Sequence, residues 1–154
     1  MKLGLALAAL VVAACLCDAR PVAQWTYEKL IGDSDLVVIA TPTATRDKEK
    51  TVIPNLRRAR ADGKYVAVPA VGIETRLKVL AVLKGDPKLK DIVLYHLREA
   101  KAENVPNGPQ LISFDVKGRR RYLLFLKRAA DGRFLSVTGQ VDAAVGVRDL
   151  GSYP

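Results

Sequence analysis

The pattern of apolar and polar positions along the chain predicts a mostly β protein. Residues 36–40 form a continuous apolar run, which is typical of a strand that is buried on both faces. Residues 71–84 alternate apolar and polar side chains with a period of two, which predicts a long strand with one buried face. Shorter runs of the same kind predict further strands at 92–97, 111–114, 119–127 and 134–137.

The scarcity of helical patterns limits the architecture of this domain. Residues 22–31 carry the pattern of a short amphipathic helix, and turn residues follow it, so we expect a lead helix and turn over 20–34. Because helices do not alternate with the strands, a parallel sheet is disfavoured. We expect a small closed or half-closed antiparallel barrel over 35–147, since closure removes exposed strand edges, and a tail over 148–154.

One stretch inside the predicted barrel has a different composition. Residues 46–68 begin with a segment rich in Lys and Arg, with Pro54 and Asn55 near its middle. We interpret this stretch as a long mobile basic loop that holds at most a loose hairpin. Loops of this length are uncommon in compact domains and are often functional or disordered.

The N-terminal residues carry the pattern of an export signal. A short basic start precedes an apolar stretch at 3–14, which is too short to cross a bilayer and fits a signal peptide, predicted over 1–19. Residues 12–15 resemble the bacterial lipobox, which gives the alternative of a lipoprotein signal at 1–14 and an acylated Cys15. We therefore expect an exported protein that is either secreted or periplasmic, or lipid-anchored at a membrane.

The net charge of +9 is concentrated in two windows of the sequence. Residues 46–64 carry +4 and residues 117–133 carry +6, whereas the rest of the chain sums to −1. This distribution predicts a localised basic surface for an anionic partner, which could be a lipid headgroup, an acidic polysaccharide or an acidic protein. An exported protein meets little nucleic acid, so no nucleic-acid partner is expected. The residues expected to bind the partner are Arg57, Arg58, Arg60, Lys117, Arg119, Arg120, Arg121 and Arg133.

The sequence offers little support for catalysis. His96 is the one histidine of the chain, and both cysteines precede residue 18, so a zinc site cannot be completed in the predicted barrel. A lone histidine in a strand is best interpreted as a structural residue. The close carboxylate pairs fall in turns or polar segments, and no glycine-rich phosphate loop opens a helix. We therefore predict no catalytic residues, no metal and no cofactor.

Several strand and turn segments, taken in order, resemble those of a known family. They are 33–40 (DSDLVVIA), 80–85 (LAVLKG), 92–94 (IVL), 118–126 (GRRRYLLFL) and 131–134 (DGRF). Over about 22–138 the chain resembles the netrin-like modules, whose best-known members are the tissue inhibitors of metalloproteinases. It is also similar in layout to small exported bacterial proteins. The resemblance implies a five-stranded OB-fold barrel that is preceded by a helical lead.

The resemblance also suggests a second function. Family inhibitors begin with a Cys-x-Cys motif whose first residue chelates the zinc of the protease, and Cys15 and Cys17 have that spacing. The downstream cysteines that pair with this motif in the family are missing from the sequence. We therefore predict a monomeric, non-catalytic binding or interaction module. The alternative is an inhibitor of extracytoplasmic proteases, and an enzyme of unknown class is less favoured.

Overall fold

The computed structural model describes residues 23–59, 62–101 and 108–152, and it is mostly β. A short helix, α1 (Tyr27–Asp33), precedes the strands, and a 3-10 turn (Ala143–Gly146) precedes the last of them. The strands are β1 (Leu36–Ala59), β2 (Tyr65–Lys84), β3 (Asp91–Glu99), β4 (Arg120–Arg128), β5 (Phe134–Ser136) and β6 (Val147–Ser152). The predicted signal peptide and Cys15 lie outside the described residues.

Five of the strands form a ring in the order β1-β2-β3-β5-β4, which a pairing between β1 and β4 closes. β1 pairs with β4 from Leu36↔Leu126 to Ala40↔Tyr122. β5 and β6 pair with the two ends of β4. The pairs are antiparallel except for β3 and β5, which run parallel, so the expectation of a wholly antiparallel sheet is wrong at this one contact.

The predicted loop over 46–68 is wrong, because most of it forms a two-stranded ribbon. β1 continues to Ala59 and pairs with β2 as far as the Ala59↔Tyr65 contact. Pro54 and Asn55 fall within a register shift between the two strands, where Asn55 takes a positive φ of 57°. These two turn-forming residues therefore make an irregularity in a strand rather than a loop.

Both ends of the domain also differ from the prediction. The helix begins at Tyr27 rather than at residue 22, because Thr26 caps it by accepting a hydrogen bond from the Lys29 backbone N–H at 3.2 Å. The predicted tail over 148–154 is largely β6, which pairs with β4. Residues 111–114 are not a strand, although Ile112 still reaches the core.

Two apolar clusters lie on opposite sides of β1 and β4. The cluster inside the ring includes Val38, Leu77, Leu94, Leu124 and Leu126. The outer cluster joins Leu30 of α1 to Val37, Phe125 and Val137, with Trp25 and Leu123 packed against it. The run at 36–40 is therefore buried on both faces, as its continuous apolar pattern predicts. The outer cluster fixes α1 against the outside of the ring.

Candidate basic binding surface

The structure separates the basic residues that the sequence predicts for binding. Arg58 lies 3.8 Å from a carboxylate oxygen of Glu99, and Arg120 lies 2.6 Å from one of Asp149. Arg133 contacts two carboxylates at once. Arg60 lies outside the described residues. Three of the predicted residues are therefore already paired with carboxylates.

Glu74 is the centre of a cluster that neutralises basic residues from both charged windows. Its Oε2 atom accepts hydrogen bonds from Arg46 at 3.0 and 2.6 Å. Its Oε1 atom lies 3.6 Å from the Lys48 ammonium and 3.3 Å from the Arg133 guanidinium. The Glu74 side chain is only 10% exposed. The Arg46 hydrogen bonds, followed by the charges of Lys48 and Arg46, hold the pKa of Glu74 below its usual range, although burial opposes them.

An aromatic side chain completes this Glu74 cluster. The Arg133 guanidinium lies 4.5 Å from the centre of the Tyr95 ring, and the Tyr95 hydroxyl donates to Glu49 at 2.6 Å. Burial, and then the hydrogen bond to Glu49, raise the pKa of Tyr95 to about 12. Tyr95 crosses Gly72, where a Cβ atom would come within 2.5 Å of the tyrosine oxygen. Glycine at this position lets the ring lie against β2.

A second group of basic side chains lies on the outside of the ring near the start of β4. Tyr122 and Leu124 face the inner cluster, so alternation places Arg121 on the outer side with Leu123. Lys78 of β2 is paired with Thr41 of β1, one residue beyond the Ala40↔Tyr122 pair. Arg121 and Lys78 therefore flank β1 with their backbones roughly 10 Å apart. With them we group Arg76 on the same side of β2, the turn residues Lys117 and Arg119 that precede β4, and Arg148, whose register partner is Leu123, and we call these six residues the basic face.

The cations of the basic face are less compensated than those around Glu74. Arg76, Lys78, Lys117 and Arg119 are exposed, and Arg148 is partly exposed. None of these five makes an ion pair with a carboxylate that the structure describes. By contrast, Arg120, which follows Arg119 in the sequence, is neutralised by Asp149. The hydrogen bond from Arg120 holds the pKa of Asp149 below the usual range.

A tight turn presents two of the basic-face residues. The Asp115 carboxylate accepts hydrogen bonds from the backbone N–H groups of Lys117 at 3.0 Å and Gly118 at 2.9 Å. Arg119 follows with a φ of 47°, in the left-handed region that a residue with a Cβ atom rarely adopts. The hydrogen-bonded turn therefore holds Arg119 in an uncommon conformation at the surface, immediately before β4 begins.

His96 lies inside the ring and not at the basic face. It is 3% exposed, and its Nε2 atom lies 2.9 Å from the Thr75 hydroxyl, which in turn lies 3.0 Å from that of Thr45. The ring of Phe114 packs edge-on against it. Burial lowers the pKa of His96 to about 4, so the imidazole is neutral at physiological pH. Within the part of the chain that the structure describes, no three His, Cys, Asp or Glu residues cluster as metal ligands.

Sequence reasoning missed three members of the basic face, namely Arg76, Lys78 and Arg148. Arg76 and Lys78 occur singly on the polar side of a strand, and Arg148 lies in what the sequence predicts as a tail. The strand register places Lys78 across β1 from the start of β4 and Arg148 opposite Leu123, which the sequence pattern does not reveal. The alternation over 71–84 places Arg76 and Lys78 on the outer side of the ring, but it does not reveal which other residues they adjoin.

No family model matches the chain, and neither does any curated protein. Among the residues described, no helix is long and apolar enough to span a membrane.

Proposed function

We propose that this protein is an exported, non-catalytic binding module with an OB-like barrel, and that it holds an anionic partner on the basic face. The observation that carries the proposal is the group of five cations, from two strands and a turn, that lack carboxylate partners among the described residues. Such a group creates a positive potential that attracts polyanions. The Glu74 cluster has no comparable excess of positive charge.

The topology supports the OB-like part of the proposal. A five-stranded ring whose first strand pairs with both the second and the fourth is what a small Greek-key barrel requires. The position of α1 before the ring agrees with the helical lead that the netrin-like resemblance implies. The inhibitor function depends on Cys15 and Cys17, which lie outside the described residues, and it stays a prediction.

A charge-removal experiment tests the binding function. We expect the Lys117→Gln/Arg119→Gln variant to bind anionic vesicles or a sulfated polysaccharide at least about tenfold more weakly, since each basic residue near an anionic surface contributes about 1 kcal/mol. Binding of the unchanged protein should weaken steeply as salt is added. Affinity is measured by cosedimentation for vesicles and by titration calorimetry for the polysaccharide.

The matched control removes the same charge from the ribbon, where Lys50 and Lys64 are exposed. The Lys50→Gln/Lys64→Gln variant should retain most of the affinity. An equal loss in both variants would mean that only the total charge matters. No loss in the first variant would exclude the basic face as the binding surface.

A further inference from the structure

An apolar groove runs beside the basic face, on the outside of the ring. It has a volume of about 150 Å³ and lies between α1 and the end of β2. Tyr27 and Ile31 line it on the helix side, and Leu83 lines it on the strand side. Its floor is formed by Val37, Leu123 and Phe125. The groove therefore lies directly over the outer apolar cluster that holds α1.

Large apolar side chains on both sides of this groove are exposed to solvent. Tyr27 is 59% exposed, Ile31 is 47% and Leu83 is 61%. Leu80, on the outer side of the same strand, is 45% exposed. Tyr27 and Ile31 are four residues apart and so lie on one side of α1. A concentration of exposed apolar side chains on both sides of a groove is the usual mark of an interaction surface.

The groove and the basic face are continuous. Leu123 in the floor is two residues from Arg121, and exposed Leu80 is two residues from Lys78, which is roughly 7 Å along each strand. Lys84 lines the groove itself, and its ammonium donates to the carbonyls of Ile31 and Gly32 at 2.7 and 3.2 Å. Exposed apolar side chains therefore lie next to cations of the basic face.

We infer that this combined surface docks onto a lipid bilayer that carries anionic headgroups. The inference rests on the proposed function, since the basic face supplies the contact with the headgroups. The cations Lys78, Lys117 and Arg119 lie at the headgroup level, and Tyr27, Ile31 and Leu83 enter the boundary with the acyl chains. Apolar burial and attraction to anionic lipid act together in this way when a protein lies on a membrane.

The apolar part of the surface favours a bilayer over a soluble polyanion. A sulfated or carboxylated polysaccharide offers charge for the basic face, but it has little apolar surface to cover Leu83 and Ile31. A bilayer offers both within the few ångströms that separate headgroups from acyl chains. On α1 itself, Asp33 is paired with Lys29 at 3.1 Å, which reduces its repulsion of anionic lipid.

Trp25 provides a direct probe of this docking. It is the one tryptophan of the chain, and it packs against the outer cluster just before α1 begins. We expect its fluorescence in the full chain to be quenched by brominated lipids when the vesicles contain anionic phosphatidylglycerol. The Tyr27→Ser/Leu83→Ser variant should need at least about tenfold more lipid for half-maximal quenching, because apolar burial is lost at two sites.

The control substitutes exposed apolar residues of the ribbon, where Val52 is 46% exposed and Tyr65 is 67% exposed. The Val52→Ser/Tyr65→Ser variant has the same N-terminal residues, so any contribution from them is equal in all proteins compared. We expect its quenching curve to match that of the unchanged chain. Circular dichroism and thermal unfolding establish that each variant is folded.

Four results would overturn the inference. If the groove variant binds anionic vesicles as well as the unchanged chain does, while Lys117→Gln/Arg119→Gln weakens binding, the anionic-partner function stands and docking of the groove fails. Binding to a sulfated polysaccharide in the absence of any vesicle binding likewise leaves the function standing and excludes the docking. If sedimentation shows that the protein is a dimer and that Leu83→Ser dissociates it, the groove is occupied by a second copy of the chain. If the unchanged chain binds neither anionic vesicles nor a sulfated polysaccharide, the proposed function fails together with the inference.

Discussion

The Glu74 cluster and the basic face collect cations in different ways. Around Glu74, Arg46, Lys48 and Arg133 surround a carboxylate that is largely buried, and each lies within 3.6 Å of it. On the basic face, Lys78 and Arg119 are exposed and have no described carboxylate partner. Both groups draw residues from the charged windows of the sequence, so the density of positive charge alone does not distinguish a binding surface from a structural cluster.

The difference lies in what the sheet places opposite each cation. β2 carries Glu74 on its outer side where β1 supplies Arg46, and the two residues are register partners. Two residues further along, the outer side of β2 carries Arg76, whose register partner is Ala44. A cross-strand pair of opposite charge stabilises the sheet locally, whereas a cation opposite a small apolar residue stays available to an external anion.

The largest predicted effect concerns the interior behind the Glu74 cluster. The unfolded chain protonates His96 near pH 6.5, but the folded chain keeps it neutral until about pH 4. Stability is therefore lost as the pH falls from about 6.5 to about 4, by about 3 kcal/mol at most. The His96→Gln variant should show a flatter dependence of unfolding free energy on pH in this interval. Urea unfolding between pH 4 and 8 measures it.

NMR provides a check that does not depend on the variant. Because the chain has one histidine, its ring signals identify themselves during a pH titration. A midpoint near pH 6.5 in the folded protein would contradict the buried neutral state. An unchanged slope in His96→Gln would assign the acid sensitivity to the carboxylates instead.

The next effect tests whether Glu74 is what separates the two regions. We expect Glu74→Gln to lower the free energy of unfolding by about 1–2 kcal/mol, because three cations lose their partner, although solvent screens much of this interaction. The same variant should bind a sulfated polysaccharide more tightly, since its cluster then resembles the basic face. Urea unfolding measures the change in stability, and calorimetry measures the change in polysaccharide affinity. The control is Asp62→Asn, which removes one negative charge from the ribbon turn.

The pH dependence of the unfolding free energy provides a second test of Glu74. The pKa of Glu74 is lowered in the folded protein, so its contribution is present above pH 4.5 and is lost as the pH falls through that lowered pKa. Glu74→Gln should remove this part of the acid dependence and leave the part due to His96. If Asp62→Asn changes polysaccharide affinity as much as Glu74→Gln does, the cluster has no special role.

The sequence predicts the parts of this structure that depend on local pattern. The run at 36–40 and the alternation over 71–84 are strands because burial imposes their periods directly. The ribbon is not predictable in this way, since Pro54 and Asn55 carry the same signal in an irregular strand as in a loop. β6 shows no clear alternation, and its pairing with β4 is what makes Val147–Ser152 a strand.

The candidate site divides along the same line. Lys117 and Arg119 are predictable because they stand in a dense run of charge. The partner that neutralises Arg120 is Asp149, 29 residues away, and Glu74 is 59 residues from Arg133. The net charge of a sequence window gives each of these cations the same weight. Only the tertiary fold shows which of them already have a carboxylate partner.

The smallest predicted effect concerns two adjacent residues that belong to opposite sides of this comparison. Arg120 donates to Asp149 at 2.7 Å, whereas Arg119 has no described carboxylate partner. We expect neither Arg120→Gln nor Arg119→Gln to change the free energy of unfolding measurably, because exposed ion pairs contribute little. Their effects on vesicle affinity should differ, with the larger loss for Arg119→Gln, although both variants lose one positive charge. Arg120→Gln also leaves the Asp149 carboxylate unpaired. This carboxylate would repel an anionic surface and so narrow the difference in vesicle affinity between the two arginine variants. Asp149→Asn separates these contributions, since it releases Arg120 and should raise affinity by a few-fold. If the two arginine variants lose vesicle affinity equally and Asp149→Asn gains none, the ion pair with Asp149 does not prevent Arg120 from contacting the anionic partner.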